Sequence, residues 1–179
     1  MNHMIRQLEI TALSQDDAAR HGRALAALLH ACVQDGASIG FVLPFSVDDA
    51  EAYWAEKVLP RLDGGKLMLL AARQYDRLVG AVQLDCDTPP NQPHRAEVRK
   101  LLVHPEFRRQ GIAKTLMAAL EHHAGEMGRS LLTLDTRSSD KAEPLYASLG
   151  YQIAGVIPGY CRDPFTDRLD PTTVMYKAL

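Results

Sequence analysis

The sequence predicts a single α/β domain in which seven strands form one mixed sheet flanked by four helices, in the order βααβββαβαββ. Three observations favour this class. Two segments near the N-terminus carry apolar residues at helical spacing. A pair of apolar runs joined by a tight turn then predicts an antiparallel hairpin. Further along, a strand, a helix and a second strand follow one another, which predicts a parallel pair at the centre of the sheet.

The first half of the chain predicts five elements. The expected second helix begins at Ser46, where the Ser46–Asp49 spacing resembles a capping box. A break of small residues, 36–41, separates it from the first helix. The expected bounds are a strand over 5–13, helices over 16–33 and 46–62, and hairpin strands over 66–74 and 78–86.

The second half predicts six elements around a central strand and helix. Ser138, Ser139 and Asp140 are expected to cap a short helix that ends at Gly150. The expected strands cover 98–103, 130–135, 151–157 and 173–177, and the central helix begins at Ile112. Residues 158–171, rich in proline and polar residues, are expected to form a long loop.

Length and charge narrow the class of protein. The 179 residues are expected to form one domain, 1–179, with its own core. A net charge of −2 argues against nucleic-acid binding, and no apolar run approaches the length of a membrane span. Three scattered cysteines, Cys32, Cys86 and Cys161, are typical of reduced thiols in a cytoplasmic protein, and no motif predicts a metal site.

The chemistry concentrates in the turn before the central helix. The sequence Arg108-Arg109-Gln110-Gly111-Ile112-Ala113 follows an apolar strand that ends at His104-Pro105. The first amides of a helix lack internal partners, and the helix dipole adds positive charge there, so this end favours phosphate. Gly111 permits close approach of the backbone, and Arg108, Arg109 and Lys114 add charge.

Three motifs together resemble a known family. The turn RRQGIA is similar to the (Gln/Arg)-x-x-Gly-x-(Gly/Ala) motif of GNAT-type N-acetyltransferases, LLVHP to their Leu-x-Val-x-Pro strand end, and LYASLGY to their Leu-Tyr-x-x-x-Gly-(Phe/Tyr) signature. Over nearly the whole chain, GASIGF, RAEVRKLLVHP, LLTLDT and IPGYC resemble the tabtoxin-resistance acetyltransferases, which inactivate a β-lactam amino acid toxin.

The resemblance implies acetyl-CoA as co-substrate and a GNAT-like sheet in which a bulged central strand splays from its neighbour. The backbone there would face the pantetheine arm. The implied cofactor-binding residues are Leu101, Leu102, Val103, Arg108, Arg109, Gln110, Gly111, Ile112, Ala113, Lys114 and Ser139. Ser139 departs from the family, which often has Asn at this place, seven residues before the helix tyrosine.

The resemblance also implies catalytic roles. Tyr146, the tyrosine of the Leu-Tyr motif, would protonate the leaving thiolate; the alternative is a packed tyrosine. An aliphatic ammonium, with a pKa of ~10.4, needs a base at neutral pH. The spacing seen in the family suggests Asp135 or Glu97 as this base. Proton removal by bulk water would need neither residue. Asp135 could instead cap the turn after its strand, and Glu97 could be an edge-strand surface charge.

An acceptor pocket is expected around Ser38, Phe41 and Tyr160, between the small-residue break and the long loop. Tyr53 and Trp54 could also line it, although such a pair is more often core. The sequence predicts an N-acetyltransferase that acetylates a primary amine of a small molecule, as a monomer or homodimer. Protein N-terminal or lysine acetylation, and a non-catalytic acyl-CoA-binding module, remain alternatives.

Overall fold

A computed structural model describes residues 8–179, which form one seven-stranded sheet with the order β1-β2-β3-β4-β5-β7-β6. The strands are β1 (Leu8–Ala12), β2 (Leu67–Gln74), β3 (Arg77–Asp85), β4 (Arg95–Val103), β5 (Leu131–Arg137), β6 (Gln152–Arg162) and β7 (Leu169–Ala178). The β4–β5 pair is parallel and every other pair is antiparallel. The predicted fold class is therefore confirmed. The part of the first predicted strand over 5–7 lies outside the described residues.

Helices cover both faces of the sheet. They are α1 (Gln15–Arg20), α2 (Gly22–Gln34), α3 (Val47–Tyr53), α4 (Leu59–Leu62), α5 (Ile112–Glu126) and α6 (Ala142–Ser148). One core lies between the sheet and α5, which contributes Leu116 and Leu120. The second core lies under α1 to α4 and includes Trp54. None of the helices within 8–179 combines the length and apolar character needed to cross a bilayer.

The predicted helix over 16–33 is divided in the structure. Helix α1, capped by Ser14, ends at His21, and α2 starts at once with Gly22. Glycine has a low helix propensity, which accounts for a break that the apolar periodicity does not reveal. The four predicted flanking helices thus correspond to six helices, α1 to α6, within residues 8–179.

The predicted helix over 46–62 is continuous but irregular. The Ser46–Asp49 capping box is confirmed, with both reciprocal hydrogen bonds present. A π-helical turn, Trp54–Val58, then separates α3 from α4, and the Leu59 amide donates to the Trp54 carbonyl. Pro60 has no amide hydrogen with which to continue the regular ladder, so it favours this local rearrangement.

The prediction of a long loop over 158–171 is wrong. Strand β6 extends to Arg162 and β7 begins at Leu169, so a short hairpin tip, 163–168, remains. The register shifts between Ile157 and Cys161, where Pro158 and Gly159 form a bulge. Because β6 is an edge strand, the missing amide of Pro158 breaks no ladder bond that the sheet requires.

Candidate active site

The centre of the sheet opens between β4 and β5. Within the described chain, β4 pairs with β5 only from Arg95 to Glu97, and from there to Val103 it stays paired with β3 but not with β5. Parallel strands that part in this way expose backbone groups that would otherwise be paired. The structure therefore forms the splay that the resemblance implied, with Leu101, Leu102 and Val103 on the separated part of β4.

A β-bulge lies on the separated part of β4. Arg99 pairs with Gln83 and Leu102 with Ala81, so three steps along β4 oppose two along β3. Lys100 lies in this bulge and has a left-handed φ of 50°. The bulge also changes the face of the sheet to which the side chains of β4 point. Val98 belongs to the core under α5, whereas Leu102, four residues later, belongs to the core under α1 to α4.

The turn before α5 has the geometry that an anion requires. Gly111 has φ of 83° and directly precedes the helix, and Arg109 is also left-handed at 63°. None of the described residues lies within 4 Å of the position that a Cβ on Gly111 would take. The turn is exposed at Arg109, Gln110, Gly111 and Lys114, so the first amides of the fifteen-residue helix α5 are accessible. Ile112 is buried and Ala113 half-buried beneath this turn.

Arg108 does not point to this turn. Its Nε donates to the Val103 carbonyl at 3.3 Å, and its Nη1 pairs with Asp35 at the end of α2. Cys32 also donates to the Val103 carbonyl, at 3.5 Å. Arg108 therefore joins the splayed end of β4 to α2, and the exposed charges beside the first turn of α5 are Arg109 and Lys114.

The start of α6 differs from its predicted form. Lys141 occupies the N-cap position, and no side chain caps the helix, so the capping role expected for Ser138, Ser139 and Asp140 is wrong. Ser139 is left-handed, with φ of 62°, and its amide donates to Glu143 at 3.1 Å. Its side chain is exposed, and a role toward pantetheine stays a prediction.

Tyr146 lies on α6 beside the splay. It is 7% exposed, and its ring meets that of Tyr151 edge-on at 5.8 Å between centroids. Burial, with a smaller contribution from the Asp135 carboxylate, raises the pKa of Tyr146. The phenol therefore keeps its proton at neutral pH, as a proton donor must.

The two candidate bases lie on the two strands of the splay. Asp135, on β5, is exposed and accepts a hydrogen bond from the Thr172 hydroxyl at 3.0 Å. Glu97 lies on β4 between Asp85 of β3 and Thr133 of β5, so the alternative of an edge-strand charge is wrong: the strand is central. The Glu97 carboxylate is 3.9 Å from Arg99.

The hairpin tip closes over the small-residue break. The Leu43 amide donates to the Pro164 carbonyl at 3.0 Å, and Ser38 Oγ lies 3.6 Å from Cys161 Sγ. Tyr160, the residue before Cys161, is 54% exposed, and its role in the acceptor pocket stays a prediction.

Arg137 links the three segments that meet at this closure. Its guanidinium donates to Asp140 at 2.9 Å, to Asp163 of the hairpin tip at 3.4 Å and to the Gly36 carbonyl at 3.4 Å. A cavity of about 350 Å³ lies among these segments, lined in part by Ser139 and Phe165. The arrangement ties the tip, the α2–α3 connection and the start of α6 into one wall.

Aromatic rings pack together where the small-residue break meets α3, in the region where the acceptor pocket was expected. Phe41 contacts Phe45 and Tyr53, with centroids 4.7 and 5.2 Å away. Trp54 is 2% exposed and belongs to the core, whereas the Tyr53 hydroxyl reaches Gln83. Lys100 Nζ lies 5.5 Å from the Phe41 centroid and 5.8 Å from that of Tyr53.

Sequence reasoning missed Lys100 as a site residue. Lys100 directly follows Arg99 on a strand that also holds Arg95 and Glu97, so its charge does not stand out in the sequence. The bulge that turns it toward the aromatic rings leaves no local pattern in the sequence.

The splayed pair, the open helix N-terminus and the buried tyrosine together define the acetyltransferase class of α/β domains. The chain belongs to the acetyltransferase (GNAT) domain family, whose model matches residues 48–156. Members of this family are N-acetyltransferases that use acetyl-CoA. Human N-acetyltransferase 8 is 36% identical over 86 residues, which cover 47% of this chain and 38% of that protein. The chain thus spans less than two fifths of the length of the curated relatives it matches.

Solved structures share the fold over nearly the whole chain. Ribosomal-protein-alanine N-acetyltransferase from Brucella melitensis superposes with a TM-score of 0.77 at 20% identity, covering 96% of this chain and 99% of that one. A putative acetyltransferase from Salmonella typhimurium, solved with its cofactor acetyl-CoA, superposes with a TM-score of 0.77 at 18% identity. The match covers 96% of this chain and 94% of that one. Aminoglycoside 6′-acetyltransferase type Ii superposes with a TM-score of 0.70 at 22% identity, and the match covers 95% of this chain and 96% of that one. At these identities the likeness shows the fold alone.

Proposed function

We propose that this protein transfers the acetyl group of acetyl-CoA to a primary amine of a small molecule, either amino-acid-like or an antibiotic or toxin. The observation that carries the proposal is the closure of the acceptor side by the hairpin tip. The Leu43–Pro164 hydrogen bond and the contact of Phe165 with Gly36 hold the tip against the α2–α3 connection, which supports a compact acceptor pocket. A peptide substrate requires an open groove, which this wall obstructs.

Each step of the transfer has a candidate group. Acetyl-CoA supplies the acetyl thioester. The first amides of α5, with Arg109 and Lys114, would hold its pyrophosphate, and backbone amides of Leu101 and Val103 would polarise the carbonyl. The amine nitrogen forms a bond to the carbonyl carbon as the carbon–sulfur bond breaks, and Tyr146 donates its proton to the departing sulfur.

The proton of the ammonium must leave before the amine can attack. Asp135 or Glu97 would accept it, directly or through water, and bulk solvent is the remaining route. Thr172 orients Asp135 with a hydrogen bond, whereas Glu97 has the weaker restraint of a 3.9 Å pair with Arg99. The better-defined geometry favours Asp135.

Resemblance to the tabtoxin-resistance enzymes supports an amino-acid-like acceptor. GASIGF contributes Ser38 and Phe41 to the pocket wall, and IPGYC contributes Cys161, so the shared stretches coincide with the acceptor side. The proposal includes one N-acetyltransferase domain over residues 1–179, a cytoplasmic location and a monomer or homodimer.

Protein acetylation is the second candidate function. Its support is that ribosomal-protein-alanine N-acetyltransferases share this fold. A non-catalytic acyl-CoA-binding module is less well supported, because such a module needs neither Tyr146 nor the two carboxylates beside the splay.

A screen in which small amines are incubated with acetyl-CoA, and the release of the coenzyme A thiol is measured, tests the proposal. The screen includes amino acids, aminoglycosides and short peptides with free N-termini, and mass spectrometry identifies the acetylated product. Turnover with small amines well above turnover with peptides supports the proposal. Turnover restricted to peptides supports the second candidate, and thiol release with none of the amines overturns both.

A further inference from the structure

Lys100 lies at the point where β4 leaves β5. It is the left-handed residue of the bulge, a conformation that non-glycine residues rarely adopt. The bulge turns its side chain toward the acceptor region, where Nζ lies over the faces of Phe41 and Tyr53. A Cβ on Gly40 would lie 3.5 Å from the same nitrogen, so the absence of a side chain there leaves room beside the ammonium.

The Lys100 ammonium lacks an anionic partner. Its neighbour Arg99 pairs with Asp85 at 3.0 Å, but within residues 8–179 Lys100 forms no ion pair. Burial, reinforced by repulsion from Arg99, lowers the pKa of Lys100 to about 8, while Asp135 and Glu97 act in the opposite direction. A half-buried cation held only by aromatic faces gains most when an anion binds beside it.

The surroundings of Lys100 match the parts of an amino acid. The carboxylates of Asp135 and Glu97 act electrostatically on Lys100, and Phe41 and Tyr53 offer an apolar surface for a carbon chain. A site with a cation, an anion and an apolar wall complements a molecule with a carboxylate, an ammonium and a short chain between them.

We infer that Lys100 binds a carboxylate of the acceptor and makes the site selective for amines that carry one. The inference rests on the proposed small-molecule function and names its substrate class. Lys100 acts as a binding residue, and the proton transfers remain with Tyr146 and the carboxylates.

Matched pairs of amines test the inference. The probes are L-lysine, L-ornithine and the remaining natural amino acids, each compared with its own α-carboxamide at pH 7. The wild-type protein should prefer the carboxylate member by about 10- to 100-fold in kcat/KM, the range expected for a charged hydrogen bond. In Lys100→Met this ratio should fall close to one, through a higher KM for the carboxylate member.

Two controls separate binding from folding. Lys57→Met removes an exposed lysine from the π-helical turn and should keep the preference. Calorimetry with coenzyme A should give the same affinity in Lys100→Met as in the wild type. If Lys100→Met does not fold, Lys100→Gln provides the same comparison with a polar side chain.

The outcomes distinguish this inference from the proposed function. Turnover of small amines with no preference for the carboxylate member, or a preference that survives in Lys100→Met, overturns the role of Lys100 and leaves the function standing. Thiol release with none of the small amines overturns the proposed function itself, and the inference with it.

Discussion

The ring of Phe165 occupies the space where a side chain at Gly36 would lie: its Cε2 is 2.5 Å from the position of a Cβ on that glycine. Gly36 also has φ of 85°, a conformation that side chains rarely adopt. The hairpin tip therefore docks on the α2–α3 connection because residue 36 is glycine.

Gly36→Ala should displace the tip. We expect a loss of about 1–3 kcal/mol in the free energy of unfolding, typical of overpacking, and a several-fold higher KM for the amine at an unchanged KM for acetyl-CoA. Chemical denaturation and steady-state kinetics measure both. Gly64→Ala is the matched control, since Gly64 also has a positive φ, 89°, and no atom lies within 4 Å of its Cβ position. Equal effects in the two variants would remove the tip from the acceptor site.

Tyr146→Phe tests the proposed acid. The ring remains but the proton is lost, so kcat should fall on the order of 10²-fold while coenzyme A affinity is kept. Tyr151→Phe changes the neighbouring buried ring, 5.8 Å away, and should leave kcat within a few-fold of the wild type. Similar losses in both variants would indicate packing, with Tyr146 no longer the donor.

Asp135→Asn and Glu97→Gln separate the candidate bases. The variant that lacks the true base should lose the acidic limb of the pH profile of kcat/KM, because no carboxylate is left to titrate. The hydrogen bond from Thr172 leads us to expect this effect in Asp135→Asn. Unchanged profiles in both variants would assign proton removal to the solvent.

Lys100 should also lower the stability of the protein. Its pKa is about 8 in the folded chain and ~10.4 when unfolded, so between these values the unfolded chain binds more protons at this site. Protonation below pH 8 thus costs the folded state free energy that is recovered as pH rises toward 10. Arg99, Asp135 and Glu97 are the charged groups that act on this ammonium.

Lys100→Met should therefore be more stable than the wild type at pH 7, on the order of 1 kcal/mol, and this advantage should shrink by pH 9.5. Denaturant unfolding at both values checks it. A difference that does not change with pH would mean that burial does not penalise the ammonium.

Features set by neighbouring residues could be predicted from the sequence. The glycine turn before α5 and the Ser46–Asp49 capping box each follow from residues a few positions apart. The splay could also be anticipated, through family resemblance. The central helix begins at Ile112, as its apolar spacing predicts.

Features set by pairing between distant segments of the chain could not be predicted from the sequence. The bulge at Lys100 depends on the register of β4 against β3, and the docking of Phe165 on Gly36 joins segments more than a hundred residues apart. The extension of β6 through Pro158 depends on its place at the edge of the sheet, which composition does not reveal. These are the features that shape the acceptor side.

The turn before α5 is the proposed binding site for the pyrophosphate of acetyl-CoA. Calorimetric titration of coenzyme A into Gly111→Val tests it most directly, with Gly128→Val as control. Both glycines have positive φ, 83° and 73°, and open space around the Cβ position, so both variants carry the same backbone strain. We expect that Gly111→Val loses detectable binding while Gly128→Val binds as the wild type does. Unchanged affinity in Gly111→Val would contradict it.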